Sequence, residues 1–306
     1  MLEKVKELID FKSSIVNNML SDLLKDKTTK KNIIFATSDY DDENLGINEK
    51  SEVTVDILSR SDFSLIQPRV SKTIEEQTER TRKKAEVFTP SWICNKMNNQ
   101  FDIEWFGREG VFNKEENQDW EATSEPVYFE APNDWQKYVK TTCLEIACGE
   151  APFIVSRYDV SSGENIPINR RIGILDRKLR VVSENTDNEV DWLNWACTSY
   201  KAVYGYELQG DNLLIARINL LLTFVEYMKD KWKHKPKNEE LKEIVDIITW
   251  NFWQMDGITG TVPFKKPCEN HVQMSLFGDE KKDDEVDCVI FDWENNKEIK
   301  YRDLKK

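Results

Sequence analysis

The sequence predicts an α/β protein built on a Rossmann-like parallel sheet, with a helical extension at its N-terminus. Three short apolar runs, at residues 142–147, 203–207 and 244–253, have the length and composition of buried strands. The first run leads through a turn of small residues into a helix-compatible segment at residues 153–158, and the second into a long apolar helix at residues 211–228. Strands that alternate with helices in this way are typical of a parallel α/β sheet.

Length and composition limit the class of protein further. The chain has 306 residues, of which 39% are hydrophobic and 11% aromatic, enough for a large folded unit with a core of its own. Its 56 acidic residues outweigh 43 lysines and arginines, which gives a net charge of −13. Because an acidic surface binds a phosphate backbone poorly, a nucleic-acid substrate would need a local basic patch or a partner.

Cysteine usage and hydropathy favour a reduced, cytoplasmic protein. The six cysteines form no Cys-x-x-Cys pair and only two histidines accompany them, so we expect no metal site. Scattered thiols in a chain of this length are not typical of a secreted disulfide scaffold. Residues 1–10 lack the apolar run of a signal peptide, and no stretch approaches the roughly 20 apolar residues of a membrane span.

Three regions are predicted along the chain. Residues 1–84 carry apolar residues at helical spacing and form the helical N-terminal region. Their last helix ends in a basic run from Arg80 to Lys84, which is consistent with a solvated helix face or with a DNA contact. Residues 85–262 form the domain that contains the sheet, and residues 263–306 form a tail with a small terminal hairpin.

Polar residues at the strand ends indicate what the sheet binds. The first strand ends in a turn around Gly149, where a small residue lets a ligand approach the backbone. The flanking Glu145 and Glu150 favour a cationic or neutral ligand over a phosphate. Glu207 ends the second strand, where a carboxylate accepts hydrogen bonds from ribose hydroxyls, and Asp256 follows the third, in position to meet an adenine amino group. A ribose, an adenine and a cationic head together describe S-adenosyl-L-methionine.

Four segments resemble those of adenine-specific DNA methyltransferases, in the order expected of the modification subunits of restriction systems. Residues 144–153 are similar to the family's cofactor motif, with Ala151 in place of its second glycine. Residues 85–90 resemble its phenylalanine-threonine-proline segment, residues 205–208 its acidic ribose motif, and residues 254–257 its adenine-contact motif. The resemblance implies a methyltransferase fold that binds S-adenosyl-L-methionine through Phe88, Thr89, Pro90, Glu145, Ala147, Cys148, Gly149, Phe153, Glu207, Leu208 and Asp256.

An insertion at about residues 158–200 separates the turn from Glu207 by far more than the roughly 20 residues usual in dinucleotide folds. It carries a basic patch in an acidic chain. The patch is consistent with a DNA contact or with an insertion that packs a small core of its own. In the first case the residues that contact DNA are Arg170, Arg171, Arg177, Lys178 and Arg180.

The base-holding motif of the family is missing. Adenine methyltransferases carry an asparagine or aspartate, two prolines and an aromatic residue, which hold the base after it leaves the stack. This chain contains no Pro-Pro pair. Asp292 is followed by an aromatic residue and is a weak catalytic candidate, but a terminal strand is the favoured interpretation of its segment.

The missing motif leads to two hypotheses on function. In the first, the chain is the cofactor-binding part of a DNA (adenine-N6) methyltransferase, and a second protein subunit that begins near the missing strand brings the base pocket and the target-recognition surface. Residues 250–253 are the predicted part of that interface. In the second, the chain is a non-catalytic cofactor-binding scaffold or a regulatory subunit of a DNA-modification complex.

Two shorter matches carry less weight. Residues 273–277 (QMSLF) resemble the pentapeptide by which bacterial proteins bind the replication sliding clamp, although a loop anchored on the core is the favoured interpretation. Residues 298–300 match half of a metal-dependent nuclease site, without the upstream proline and aspartate. Neither match changes the two hypotheses on function.

Overall fold

The computed structural model describes residues 8–266 and 286–305, which form a mixed α/β fold around a three-stranded parallel sheet. The helices are α1 (Ser14–Leu23), α2 (Val55–Arg60), α3 (Ile74–Lys84), α4 (Ser91–Phe106), α5 (Asp134–Lys140), α6 (Ile174–Asn185), α7 (Glu189–Lys201), α8 (Gly210–Trp232) and α9 (Asn238–Asn251). The strands are β1 (Asn113–Glu116), β2 (Asp119–Ala122), β3 (Cys143–Ile146), β4 (Val203–Glu207), β5 (Phe252–Gln254), β6 (Val289–Asp292) and β7 (Lys297–Lys300).

The central sheet has the order β3-β4-β5, with all three strands parallel. Glu145 lies opposite Gly205, and Gly205 lies opposite Phe252. Strands β1 and β2 form one antiparallel hairpin, and β6 and β7 form a second one. The first two predicted strands, the long apolar helix after the second and the terminal hairpin are therefore confirmed.

Two predicted elements are wrong. Residues 244–253 are not a strand over most of their length, because α9 continues to Asn251 and β5 begins only at Phe252. Residues 153–158 form no helix; they lie in an irregular segment, and the next α-helix begins at Ile174. Residues 273–277 lie outside the described residues.

The two faces of the sheet are covered differently. Because right-handed crossovers that progress in one direction lie on one side of a sheet, α7, α8 and α9 pack on the same face, against Val203 and Phe252. On the other face, Trp253 packs against the β6–β7 hairpin. Leu144 and Ile146 of β3 lie on this second face outside the hairpin cluster and are 45% and 66% exposed. We call this second face the open face.

The N-terminal region is joined by hydrogen bonds to β5, at one edge of the sheet. The side chain of Gln254 accepts a hydrogen bond from the backbone N–H of Ile34 (2.9 Å) and donates one to its carbonyl oxygen (2.7 Å). The N–H of Gly210 donates to the carbonyl of Phe35 at 2.9 Å. A side chain at Gly210 would lie 2.1 Å from the Ile34 oxygen, so this close approach requires glycine.

The charged helix expected before residue 85 is confirmed as α3. Thr73 and Glu76 form a capping box at its start, and Ala85 ends it in the left-handed conformation. Within residues 8–266 and 286–305, we find no helix with the length and hydropathy needed to span a bilayer.

Candidate functional site

The turn after β3 has an unusual backbone. Ala147, Gly149 and Ala151 all have positive φ angles, of 49°, 54° and 62°. The N–H of Cys148 donates to the carbonyl of Tyr206 at 2.9 Å and so fixes the turn to β4. Non-glycine residues adopt this conformation at a cost, and such strain is concentrated at ligand sites.

Glu207 organises this turn from the end of β4. One of its carboxylate oxygens accepts a hydrogen bond from the N–H of Gly149 (2.8 Å), and the other accepts from Leu208 (3.0 Å) and Gln209 (3.1 Å). Burial raises the pKa of Glu207, while the donated hydrogen bonds oppose the shift. The carboxylate therefore joins the ends of two adjacent strands.

Glu145 carries an unsatisfied acceptor beside the same turn. Its Oε2 atom is buried and has no hydrogen-bond partner, and its Oε1 atom lies 3.5 Å from the N–H of Phe153. Burial raises the pKa of Glu145 well above its ordinary value. Because an unpaired buried carboxylate oxygen is costly, this atom favours a ligand that donates N–H groups.

A cavity of about 240 Å³ lies between the turn and a segment formed by residues 84–89. Phe88 is the part of this segment nearest the turn; a Cβ atom at Gly149 would lie 3.5 Å from its ring. The guanidinium of Arg69 lies over the Phe88 ring, 5.1 Å from its centroid. The remaining lining includes Pro152, Gln209 and Asn212.

A buried ion cluster holds the 84–89 segment in place. The guanidinium of Arg80 is paired with Glu86 (2.6 Å), Asp211 (2.9 Å) and Asp39 (2.6 Å), and it donates to Gln209 at 2.8 Å. Arg80 is 3% exposed. Its partners come from the N-terminal region, from the segment over the cavity and from the residues that follow Glu207.

Eight of the eleven residues predicted to bind the cofactor line this one cavity. They are Phe88, Thr89, Glu145, Ala147, Cys148, Gly149, Phe153 and Glu207. The other three do not line it. Pro90 precedes the first residue of α4, and Leu208 is 42% exposed and contributes its backbone N–H to Glu207. Asp256 caps its own turn by accepting from the N–H groups of Ile258 and Thr259.

Asp292, the weak catalytic candidate, lies in the β6–β7 hairpin and not at this cavity. Its carboxylate accepts hydrogen bonds from the backbone of Glu294 (3.1 Å) and Asn295 (3.0 Å) and from the Asn295 side chain. The side-chain and backbone donors of Asn295 lower the pKa of Asp292. The residue therefore shapes a turn, as the terminal-strand interpretation implies.

The basic residues of the insertion are paired within the chain. Arg177 and Lys178 are 0% exposed, and Arg171 pairs with Glu226. Lys178 donates to the carbonyl of Thr141. The remaining two are also paired, Arg170 with Asp119 and Arg180 with Glu184. These cations pair with carboxylates and backbone carbonyls of the same chain, Arg177 and Lys178 are too buried to contact DNA, and α6 and α7 pack into the main core.

Residues 250–253, the predicted partner interface, have little exposed surface. Trp250, Phe252 and Trp253 are 9%, 1% and 2% exposed, so they pack within this chain. Arg80 was not predicted as a site residue. In its basic run, Arg82 and Lys83 are exposed, whereas Arg80 is buried and Lys84 is partly buried against Asp39.

Comparison with known proteins identifies no relative. No family model matches the chain, and neither a curated protein nor a solved structure matches it. In the part of the chain that the structure describes, no cluster of three histidines, cysteines or acids is arranged to hold a metal ion. The interpretation of the cavity therefore depends on its own residues.

Proposed function

We propose that this chain binds S-adenosyl-L-methionine in the cavity at the Gly149 turn. In this proposal the chain has a Rossmann-like methyltransferase fold and is the cofactor-binding part of a DNA (adenine-N6) methyltransferase from a restriction-modification or related defence system. The observation that carries the proposal is the convergence of Phe88, Glu145, Gly149 and Glu207 on one cavity from three separate segments of the sequence.

The residues present fit this cofactor by their hydrogen-bond acceptors. The unpartnered Oε2 of Glu145 is suited to its ammonium group, and Glu207 is suited to accept from its ribose hydroxyls. When bound, the cofactor supplies a methyl group from a sulfonium centre. The cavity is smaller than the roughly 300–1,000 Å³ usual for small-molecule sites, so we expect the 84–89 segment to move outward as the cofactor binds.

A partner subunit completes the enzyme in this proposal. The chain has no Pro-Pro pair with which to hold a base, its net charge is −13, and the basic residues of its insertion are paired internally. The partner therefore provides the base pocket and most of the DNA contact. The contribution of this chain to catalysis is to orient the methyl donor about 3–3.5 Å from the amine that attacks it.

The first test is calorimetric titration with S-adenosyl-L-methionine. Gly149→Val should abolish binding, because a side chain would stand between the turn and Phe88. Gly46→Val is the matched control: Gly46 also has a positive φ angle, of 65°, but a Cβ there meets nothing within 4 Å. Equal affinity in wild type and Gly149→Val, or equal losses in the two variants, would contradict the cofactor assignment.

The second test separates the enzyme from the scaffold hypothesis. Methyl transfer to the N6 atom of adenine in unmethylated DNA is measured with the purified chain and then with the chain and its co-purifying partner. We expect activity only in the second mixture. Robust methylation by the chain alone would refute the partner requirement, and cofactor binding without methylation in either mixture would favour the non-catalytic scaffold.

A further inference from the structure

Glu150 joins the Gly149 turn to two segments outside the cavity. It follows Gly149 directly, is 1% exposed and does not line the cavity. One of its carboxylate oxygens accepts a hydrogen bond from the backbone N–H of Arg69 (2.6 Å), and the other accepts one from the hydroxyl of Tyr158 (2.5 Å). The cofactor contacts proposed above leave this buried carboxylate without a role.

Both partners of the carboxylate belong to the surroundings of Phe88. The guanidinium of Arg69 lies over the Phe88 ring, and it donates to the hydroxyl of Thr81 in α3 at 2.9 Å. Tyr158 packs with Phe88 in one small apolar cluster. Since the Phe88 ring lies against the Gly149 turn, Glu150 links the two sides of the cavity through residues behind them.

Asn219 of α8 completes the network. Its amide nitrogen donates to the backbone carbonyl of Glu150 (3.3 Å) and to the hydroxyl oxygen of Tyr158 (3.1 Å). Its amide oxygen accepts from the guanidinium of Arg157 at 3.1 Å, which fixes the orientation of the amide. The hydroxyl of Tyr158 therefore accepts from Asn219 and has only Glu150 as a partner for its own hydrogen.

Protonation of Glu150 is incompatible with this arrangement. Both carboxylate oxygens face donors, so a proton on either of them places two hydrogens against each other. Tyr158 cannot turn its hydrogen toward Asn219, which presents an N–H to it. Because a buried donor without an acceptor is costly, the acid form of Glu150 favours separation of the Gly149 turn from Arg69 or Tyr158.

The charge of Glu150 changes near neutral pH. Burial raises the pKa of Glu150 to about 7, while the hydrogen bonds from Tyr158 and from the N–H of Arg69 oppose this shift. Among the surrounding charges, Lys72 lowers the pKa and Glu86 raises it. Tyr158 keeps its proton throughout this range, because burial raises its pKa well above its ordinary value of 10.

We propose that Glu150 is a positioning residue through which protonation regulates cofactor binding: its carboxylate holds the Gly149 turn to Arg69 and Tyr158, and its acid form releases the turn. This inference rests on the proposed function. The carboxylate also places a negative charge behind a site for a cationic cofactor, so both effects act in the same direction. Affinity for S-adenosyl-L-methionine is therefore highest when Glu150 is ionised and falls as the pH decreases through the folded-state value.

Calorimetric titration of the full chain with S-adenosyl-L-methionine between pH 6 and pH 8.5 tests this role. If only the ionised form binds, the affinity of wild type should fall about tenfold from pH 8 to pH 6. Glu150→Gln should bind weakly and lack this fall. Glu164→Gln, which removes an exposed carboxylate near Tyr158, is the control and should follow wild type. The other acids of the cavity and the cofactor's own amino group are common to all three titrations.

NMR of the full chain follows the carboxylate without the cofactor. The N–H chemical shift of Arg69 should change with a midpoint near pH 7 in wild type and should not change in Glu150→Gln. Tyr158→Phe removes a donor that stabilises the carboxylate, so it should raise the midpoint of both the chemical shift and the affinity by about one pH unit. A merely structural role of Glu150 would not move these midpoints.

Two results would overturn the inference alone. They are an Arg69 N–H shift that stays constant from pH 6 to pH 8.5 in wild type, and cofactor binding whose pH dependence is the same in wild type and Glu150→Gln. If Glu150→Gln does not fold, an affinity midpoint that Tyr158→Phe leaves unchanged contradicts the inference instead. Titration of the Arg69 N–H in a chain that binds no S-adenosyl-L-methionine at any pH would reject the proposed function, and with it the regulatory role.

Discussion

Arg80 and Arg177 are both buried, yet they hold different parts of the molecule. The partners of Arg177 lie mostly on one stripe of α4, where Asn95 and Asn99 accept at 2.8 and 2.9 Å and Asp102 forms the ion pair. The partners of Arg80 come from separate segments, and two of them, Glu86 and Gln209, line the cavity at the Gly149 turn. Arg177 therefore fixes two helices of the core to each other, whereas Arg80 fixes the 84–89 segment over that cavity.

The largest expected effect is a loss of stability at Arg177 without a loss of cofactor affinity. Arg177→Met leaves Asp102 buried without its cation, and we expect a loss of about 3–5 kcal/mol in the free energy of unfolding. Affinity for S-adenosyl-L-methionine should not change in the folded protein. Urea denaturation and calorimetry measure the two quantities. The double variant Arg177→Met with Asp102→Leu should recover part of the stability, and a single variant as stable as wild type would contradict the comparison.

A smaller effect is expected at Arg80. Arg80→Lys keeps the charge but loses the planar fork that reaches Glu86 and Gln209 together. We expect the affinity for S-adenosyl-L-methionine to fall about tenfold, equivalent to about 1.4 kcal/mol. Arg177→Lys is the matched control and should leave the affinity unchanged. Equal losses of affinity in both variants would show that the effect is only structural.

The smallest effect is a difference in acid sensitivity. Burial alone would raise the pKa of Asp211, but the charges of Lys72 and Arg80 outweigh it and hold that pKa far below its ordinary value of 3.8. The stabilisation from Asp211 is therefore complete above pH 3.8 and is lost as the pH falls toward the folded-state pKa. Between pH 5 and pH 3, the stability advantage of wild type over Asp211→Asn should shrink by about 1 kcal/mol.

Asp102 provides the contrast for that measurement. Burial raises its pKa even though Arg177 lowers it. Protonation therefore favours the folded state at Asp102, and the stability difference between wild type and Asp102→Asn should not shrink over the same acid range. If urea denaturation shows the same change with pH in the stability difference for Asp211→Asn and for Asp102→Asn, the distinction between the Arg80 cluster and the Arg177 cluster is wrong.

The residues that line the cavity at the Gly149 turn were easier to predict from the sequence than their surroundings. Strand β4 and the Gly149 turn depend on local features, namely a short apolar run and a small residue, so they could be located directly. The end of α9 was predicted as a strand because Ile244, Val245, Ile247 and Ile248 form an apolar, β-branched run. In the structure all four are buried in the helix. A short apolar run of β-branched residues has the same composition in a buried helix as in a strand.

Charge was the least predictable property. Arg177 was interpreted as a DNA contact because its neighbours in sequence are basic, but its carboxylate partner is 75 residues away. Arg80 is paired with Asp211 across 131 residues. Pairs of this kind arise from tertiary packing and leave no local pattern in the sequence. The spacing of Asn95, Asn99 and Asp102 places them on one face of a helix, but this can be recognised only once α4 is known.

The junction between Ile34 and Gln254 has a consequence for how the protein folds. The two residues are 220 positions apart, so β5 cannot be fixed until nearly all of the intervening chain has been synthesised. Closing so long a loop is entropically costly before any contact forms, and non-local pairing slows folding. We therefore expect the junction between the N-terminal region and β5 to form late in folding.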